Sequence, residues 1–366
     1  MLRFVAPTAL NNVSVPIVGA VNTRTELSSQ PGLSIFLQTP PEADPGRSYA
    51  QALGAIESAE RLGYETAWIA EAHFAPIGLP SALAFLSAAA QRTTRIRLGT
   101  AVVPLVFDHP IRLAETAAVA DFLSGGRIEF GVGKSNGGGF STSAFAAFRL
   151  DESDKDALYD TTLAALKEAL HGVIDGGEKA LHVYPPPGAL LTRVWQATAT
   201  GTNAAAIGRA GDGLLLHRLA FEGETGPVQA ALVDRYLDAL PAGAEPRIGV
   251  SRSVLPAASR ADALALVRSD FAKNPVQYTG FGAASPEEYL QRSNVYYGTV
   301  DEIAERLGDD EAVARSTDYL FSIPLPNESA EFGDGLRAIA EELYPRLPLG
   351  AEATHRAGSS TLRAAV

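Results

Sequence analysis

The chain has 366 residues, 46% hydrophobic and 20% charged, with a formal net charge of −12. That length allows one large α/β domain or two ordinary ones, and the composition is that of a globular protein. The acidic surplus makes nucleic acid and anionic membranes poor partners, and the absence of cysteine excludes disulfides, thiolate metal sites and a cysteine nucleophile.

A cytoplasmic location is the expectation from the cysteine-free composition. Residues 1–32 are rich in Asn, Ser and Thr, and their apolar patches are broken by Asn11, Asn12 and Pro16. No run there is long enough to span a bilayer or to make a convincing signal peptide. This segment is expected to be an arm packed on the main domain or on a second subunit, with a transit-like leader as the alternative. The main domain is expected over residues 33–349, followed by a small, polar tail over 350–366.

Short apolar runs and amphipathic runs alternate from there. Leu33–Leu37 reads as the first strand, Gln51–Leu62 as a helix stopped by Gly63, and Thr66–Ala70 as the second strand. Leu79–Ala90 reads as a helix and Ile96–Val102 as the third strand. Pro110 then suits a first helical turn, because its missing N–H would be unpaired there anyway. Ile111, Ala114, Ala118 and Phe122 repeat at helical spacing, and Gly125-Gly126 ends that helix. Ile128–Val132 is the fourth strand, running into a glycine-rich loop over 131–139. Ala157–Leu170 is helical, and the following insertion, with Gly176-Gly177 and Pro185-Pro186-Pro187, reads as a loop with a short hairpin.

Strand five is Arg193–Ala197, followed by a helix at Asn203–Arg209. Strand six is Gly213–His217, with a helix at Gln229–Leu240. Strand seven is Arg247–Val254, with a helix at Asp262–Phe271. Strand eight is Asp318–Ile323, and Leu336–Leu347 closes the chain as a helix. Strands joined by helices are parallel, and eight such units fit a closed eight-stranded β/α (TIM) barrel with insertions after strands four and seven. A doubly wound open sheet is the alternative. Residues 272–298 break the rhythm and hold Tyr278, Tyr296 and Tyr297. A long irregular segment of this kind is a lid or a plain surface insertion.

Chemistry in a β/α barrel sits at the C-terminal ends of the strands. Glu71, Ala72, His73 and Phe74 follow strand two, and Thr100 to Val103 end strand three. Gly133, Lys134, Ser135 and Asn136 follow strand four. Thr198, Thr200, Gly201, Thr202 and Asn203 follow strand five, and His217 and Arg218 follow strand six. Hydroxyls and backbone N–H groups at a helix start, with a lysine nearby, suit a phosphorylated planar cofactor. His73 can hydrogen-bond or exchange a proton near neutral pH, with Glu71 orienting it; a lone histidine after a strand reads equally well as a structural group.

Three motif matches fail on spacing or context. Gly133-Lys134-Ser135 lacks the first glycine of a phosphate-binding P-loop, since position 128 is isoleucine. Gly131, Gly133 and Gly137 miss the dinucleotide-binding spacing by one residue. Gly133-Lys134-Ser135-Asn136-Gly137 matches the G-x-S-x-G elbow of serine hydrolases, but that elbow needs a helix at once, and Gly138-Gly139 argue against one. No histidine and carboxylate spacing indicates a metal site.

The stretches TAWIAEAHF and GTAVVPLVFDHPIRLAETAAVADFLSGGRIEFGVGK together resemble the bacterial luciferase-like, flavin-dependent monooxygenase family, with weaker similarity as far as Leu347. The resemblance implies a luciferase-like barrel that uses reduced FMN and dioxygen to oxidise a small organic substrate. A separate NAD(P)H-dependent flavin reductase would supply the reduced flavin, and a homodimer is implied as well. It implies FMN-phosphate contacts from Lys134, Thr200 and Asn203, with Ser135, Thr198 and Gly201 beside them as further cofactor-binding candidates. It also implies a non-proline cis peptide between Ala101 and Val102 supporting the flavin ring, and a mobile loop over 272–298 whose tyrosines close over substrate. Family members often read AEHHF, and in the luciferases the first of those histidines is the catalytically important one. That position is Ala72 here, which argues against light emission but leaves the flavin site in place; His73, with Glu71, remains as the catalytic candidate. A deazaflavin-dependent oxidoreductase on the same barrel, and a non-catalytic flavin-binding partner of the luciferase-β type, are the alternatives.

Overall fold

A computed structural model of the chain describes residues 31–37, 45–74, 79–135, 140–275, 278, 282–327 and 329–347. Nearly all of the expected arm, and the tail, lie outside the described residues; Gly32, assigned to the arm, instead opens the first strand.

Eight strands form the barrel: β1 Gly32–Leu37, β2 Thr66–Ile69, β3 Arg97–Thr100, β4 Ile128–Gly133, β5 Val194–Ala197, β6 Gly213–Leu216, β7 Ile248–Pro256 and β8 Asp318–Ser322. Each pairs in parallel with its neighbours in sequence, and β8 pairs back onto β1 through Asp318↔Gly32. The sheet therefore closes, and no barrel strand is left as an edge. The open-sheet alternative is excluded.

Strands buried on both faces are largely apolar. Their outward residues pack with the helices into one large core, in which Ile35, Leu98, Phe130, Val194 and Phe321 are fully buried. The inner face carries a second, smaller core of Trp68, Trp195, Leu215 and Leu320. The two indoles meet edge to face at 5.4 Å and 85°. Glycine makes room for them: a Cβ on Gly99 would stand 2.2 Å from Trp68, and one on Gly213 2.2 Å from Trp195. Below, Trp195 Nε1 donates to Glu129 Oε2 at 2.7 Å, Glu129 pairs with Arg97, and the Arg247 guanidinium lies 5.0 Å from the Trp195 ring centre. The interior is thus plugged from the N-terminal end. The partly buried Phe36, Ala101, Val102 and Ala197 cap the indole cluster.

Several elements differ from expectation. The third strand stops at Thr100, and Val103–Pro104 resumes pairing with Val132–Gly133 of β4 after a two-residue interruption. A helix at Phe140–Phe148, hidden in the sequence by the glycines before it, follows β4. The supposedly irregular segment before Gly298 contains a helix at Pro286–Arg292, whose Ser285 cap accepts from the Glu288 N–H. It also contains a strand, Val295–Gly298, that pairs in parallel with Ser253–Pro256 of β7. The Val-Tyr-Tyr run of that strand has strong β-propensity, which outweighed the irregular composition around it.

Candidate active site

The end of β3 forms a shelf of small residues. The Ala101 N–H donates to the Ile69 carbonyl at 2.9 Å, tying the shelf to β2, and the Ala101–Val102 peptide is cis. Both side chains rest on the indole cluster while remaining partly accessible. Gly133 of β4 lies so close that a Cβ there would meet Val102 Cγ2 at 2.6 Å. The shelf is flat and apolar, which fits one face of a planar ring system.

At β5 the chain builds an anion corner. Thr198 Oγ1 accepts from the Thr200 N–H at 3.1 Å, and Thr200 caps the helix Gly201–Ala210, its Oγ1 accepting from the Asn203 N–H at 3.4 Å. The first-turn N–H groups and the positive end of the helix dipole suit a phosphate. Lys134 Nζ lies 2.9 Å from Asp156 Oδ1 and 5.2 Å from the Tyr159 ring centre. Tyr159 in turn donates to Gln196 of β5 at 2.9 Å, and Gln196 donates to Asp212 at 2.6 Å, so buried hydrogen bonds hold Lys134 on the β5 side. Asp156 is highly exposed, and a surface ion pair of this kind contributes at most about 1 kcal/mol. The ammonium can exchange it for a phosphate at little cost.

Ser135 has φ +68°, and its hydroxyl lies 2.8 Å from Ser141 Oγ. A helix over Phe140–Phe148 follows this loop, and residues 136–139, where the helix of a nucleophile elbow would have to open, lie outside the described residues.

The β2 side is different in character. Glu71 Oε2 accepts from the Ala82 N–H at 2.7 Å, at the start of the helix Ala82–Ala90, while Oε1 lies 3.8 Å from His73 Nε2. Burial, offset in part by the Ala82 N–H but reinforced by nearby Asp108, pushes the Glu71 carboxyl up to about 8. Burial pushes His73 down, against the opposing pull of Asp108. At neutral pH the pair is therefore a carboxylic acid beside a neutral imidazole, and 3.8 Å is beyond hydrogen-bond range. His73 Nε2 is sealed from solvent and makes no hydrogen bond among the described residues. Around it stand Phe107, edge-on at 5.6 Å, Phe148, edge-on at 5.1 Å, and Phe74, tilted at 6.4 Å.

At the end of β6, His217 stacks on the exposed Phe221 ring at 5.6 Å and 18°. One side of His217 is open, yet protein crowds the others. Burial, aided by Arg218, pushes the imidazole down to about 4, so it is neutral at physiological pH. Its carbonyl accepts from Gln229, whose Oε1 accepts from Arg252 Nη1 at 2.9 Å. Fully buried Arg252 forms a two-point pair with Asp310 at 2.8 and 3.0 Å.

The tyrosines expected to cover substrate make contacts within the chain itself. Tyr278 is fully buried; its hydroxyl donates to Asp270, and its ring packs on Phe271 and Tyr289. Tyr296 donates to Asp310 Oδ2 at 2.7 Å, joining the Arg252 network. Tyr297 lies under the Arg260 guanidinium at 4.4 Å. Val276, Gln277 and residues 279–281, also within the proposed lid, lie outside the described residues. Phe107, Asp108 and Phe148 were missed as site residues. The first two directly follow the interrupted third strand, so continuing the strand-end rule a few residues further would have found them. Among the described residues no cluster of His, Asp and Glu could hold a metal ion, and no helix is long and apolar enough to cross a membrane.

A family model described as luciferase-like monooxygenase matches residues 31–319. Among curated relatives, the 4-hydroxyprotoasukamycin monooxygenase of Streptomyces nodosus subsp. asukaensis is 45% identical over 91 residues, 25% of this chain and 24% of that protein. The first three curated relatives are matched over only 36%, 24% and 47% of their lengths. The monooxygenase RslO1 of Streptomyces bottropensis superposes with a TM-score of 0.70 at 25% identity, covering 86% of this chain and 99% of that one. Two structures at 15% identity share the fold. One is the oxygenating constituent of 3,6-diketocamphane monooxygenase from Pseudomonas putida in complex with FMN, with a TM-score of 0.69 over 88% of this chain and 99% of that one. The other is a coenzyme F420-dependent tetrahydromethanopterin reductase of Methanopyrus kandleri, with a TM-score of 0.62 over 87% of this chain and 100% of that one.

Proposed function

The chain belongs to the luciferase-like monooxygenase family, and from that premise we propose that it is a monooxygenase that oxidises a small, organic substrate with reduced FMN and dioxygen. A separate NAD(P)H-dependent reductase supplies the reduced flavin. The observation that carries the proposal is the pairing, at one barrel mouth, of an apolar shelf at Ala101–Val102 with an anion corner at Lys134, Thr198 and Thr200. A phosphorylated, planar cofactor needs both.

Bound reduced flavin would supply the oxygen-activating chemistry. The chain's part is to bind, orient and exclude water. Lys134, Ser135, Thr198, Thr200, Gly201 and Asn203 hold the phosphate. Ala101 and Val102 support the ring. Glu71, protonated at neutral pH, holds a proton beside His73, and the phenylalanines around His73 keep water away. The test is turnover by the purified protein with FMN, NAD(P)H and a flavin reductase under labelled dioxygen. Incorporation of one labelled oxygen atom into the substrate is expected. Absence of turnover with every substrate class tried would favour a non-catalytic flavin-binding partner.

A second reading has one observation behind it, the shared fold of the F420-dependent reductase. F420 is a deazaflavin that also carries a phosphate and a planar ring, so the same corner and shelf would serve it. Competition between FMN and F420 for the protein separates the two.

A further inference from the structure

Two very different surfaces meet at this mouth. The β5 side carries Lys134 and the helix N-terminus. The β2–β4 side is aromatic, with Phe74 following β2, Phe107 following β3 and Phe148 on the helix after β4. Phe107 and Phe148 stack at 5.1 Å and 17°, and Phe74 meets Phe148 edge to face at 6.0 Å. Large apolar rings on a protein surface are ordinarily covered. Here Phe74 is 60% and Phe148 40% exposed.

The Phe74 backbone adds to this, with φ +58°. A bulky residue holds that left-handed conformation only where the surroundings enforce it, and such positions gather at ligand sites. The ring is therefore displayed outward by a strained turn.

We infer that Phe74, Phe107 and Phe148 form the substrate subsite, and that it takes an uncharged, cyclic substrate, aromatic or alicyclic. Stacked and edge-on rings offer flat faces and edges suited to another ring. The charge around the rings selects against anions. Asp108 follows Phe107 directly, and its field reaches His73 inside the ring cluster. Asp108 would oppose a sulfonate or polycarboxylate at these rings, whereas the flavin phosphate has its own corner at β5. The subsite and the shelf draw on the same elements: Phe107 lies five residues beyond Val102, and the Ala101 N–H is tied to Ile69 of β2, the strand that Phe74 follows.

The inference rests on the flavin proposal for what happens to the substrate, but not for whether it binds. The experiment measures the two separately on the full chain. Binding of 2-naphthol and of 2-naphthalenesulfonate is followed by calorimetry without flavin, and FMN binding is followed by flavin fluorescence. The double variant Phe74→Ala/Phe148→Ala removes exposed rings only. The expected result is 2-naphthol binding about tenfold or more tighter than the sulfonate, reduced about tenfold in the double variant, with FMN affinity unchanged. Equal binding of the two probes, no saturable 2-naphthol binding, or a fall in melting temperature with probe affinity unchanged would overturn it. The last result would assign the rings to packing by the chain itself. If FMN fails to bind while the probe pattern holds, the flavin proposal falls and the subsite stands.

Discussion

The Thr100 hydroxyl takes both places that a β-ladder would give to backbone groups. Its Oγ accepts from the Gly131 N–H at 2.9 Å and donates to the Gly131 carbonyl at 2.7 Å. Backbone pairing between β3 and β4 covers Leu98↔Ile128 and Gly99↔Glu129, then resumes at Val103↔Val132. One side chain therefore spans the gap in which Ala101 and Val102 turn to form the shelf. A Cβ on Gly131 would stand 2.0 Å from the Thr100 carbonyl oxygen, so only glycine allows the approach.

Thr100→Val keeps the shape but leaves the buried Gly131 N–H and carbonyl unpartnered. At about 1–3 kcal/mol for each such group, the variant should lose roughly 2–4 kcal/mol in urea denaturation. Thr100→Ser, which keeps the hydroxyl, should lose about 1 kcal/mol or less. Equal stability of Thr100→Val and the parent would show that the hydroxyl is not what bridges the two strands.

Lys134→Ala should weaken FMN binding by about tenfold or more, the effect of losing a charge-assisted contact of roughly 1.5–3 kcal/mol. Asp156→Ala frees the same ammonium from its exposed partner. It should tighten FMN binding a few-fold and change stability by less than about 1 kcal/mol. Fluorescence titration of both variants checks this, and parallel weakening in both would remove Lys134 from the phosphate site.

Glu71 ties stability to pH. Its carboxyl is raised from an ordinary value of 4.5 to about 8 in the folded protein. Between those values the folded state holds the proton and the unfolded state does not, so stability falls as pH rises through the window. Glu71→Gln keeps an acceptor for the Ala82 N–H and cannot ionise. Urea midpoints recorded from pH roughly 5 to 9 should fall for the parent and flatten in the variant. Parallel curves would mean that Glu71 is ionised when folded.

His217 is held down to about 4 by burial and the Arg218 charge. Its ring resonances should therefore titrate well below those of an ordinary histidine and stay those of a neutral imidazole above pH roughly 6. Histidine-selective NMR checks this, and a midpoint near the ordinary value would mean that the ring is solvated on all sides.

The barrel was legible because strands buried on both faces are largely apolar, and Gly63, Gly125-Gly126 and the prolines punctuate the runs between. The third strand was carried two residues too far, to Val102, because that side chain is β-branched; the interruption is set by Thr100 and Gly131, far apart in sequence. The helix at Val300–Gly308 was missed although Thr299 and Glu302 spell a capping box, which the structure forms. The hydroxyl partners of Tyr278 and Tyr296, Asp270 and Asp310, were not legible because they are fixed by tertiary packing. The phenylalanine cluster at His73 draws on three separate strand-to-helix connections, so no local pattern announces it.

The central claim is that this mouth binds reduced FMN and directs its reaction with dioxygen. The most direct measurement is anaerobic titration of the purified protein with reduced FMN, followed by rapid mixing with dioxygen under absorbance detection. Saturable binding of one flavin per chain, with reoxidation slower than that of free reduced FMN, is the expected result. No binding, or reoxidation as fast as in free solution while F420 binds saturably, would contradict it.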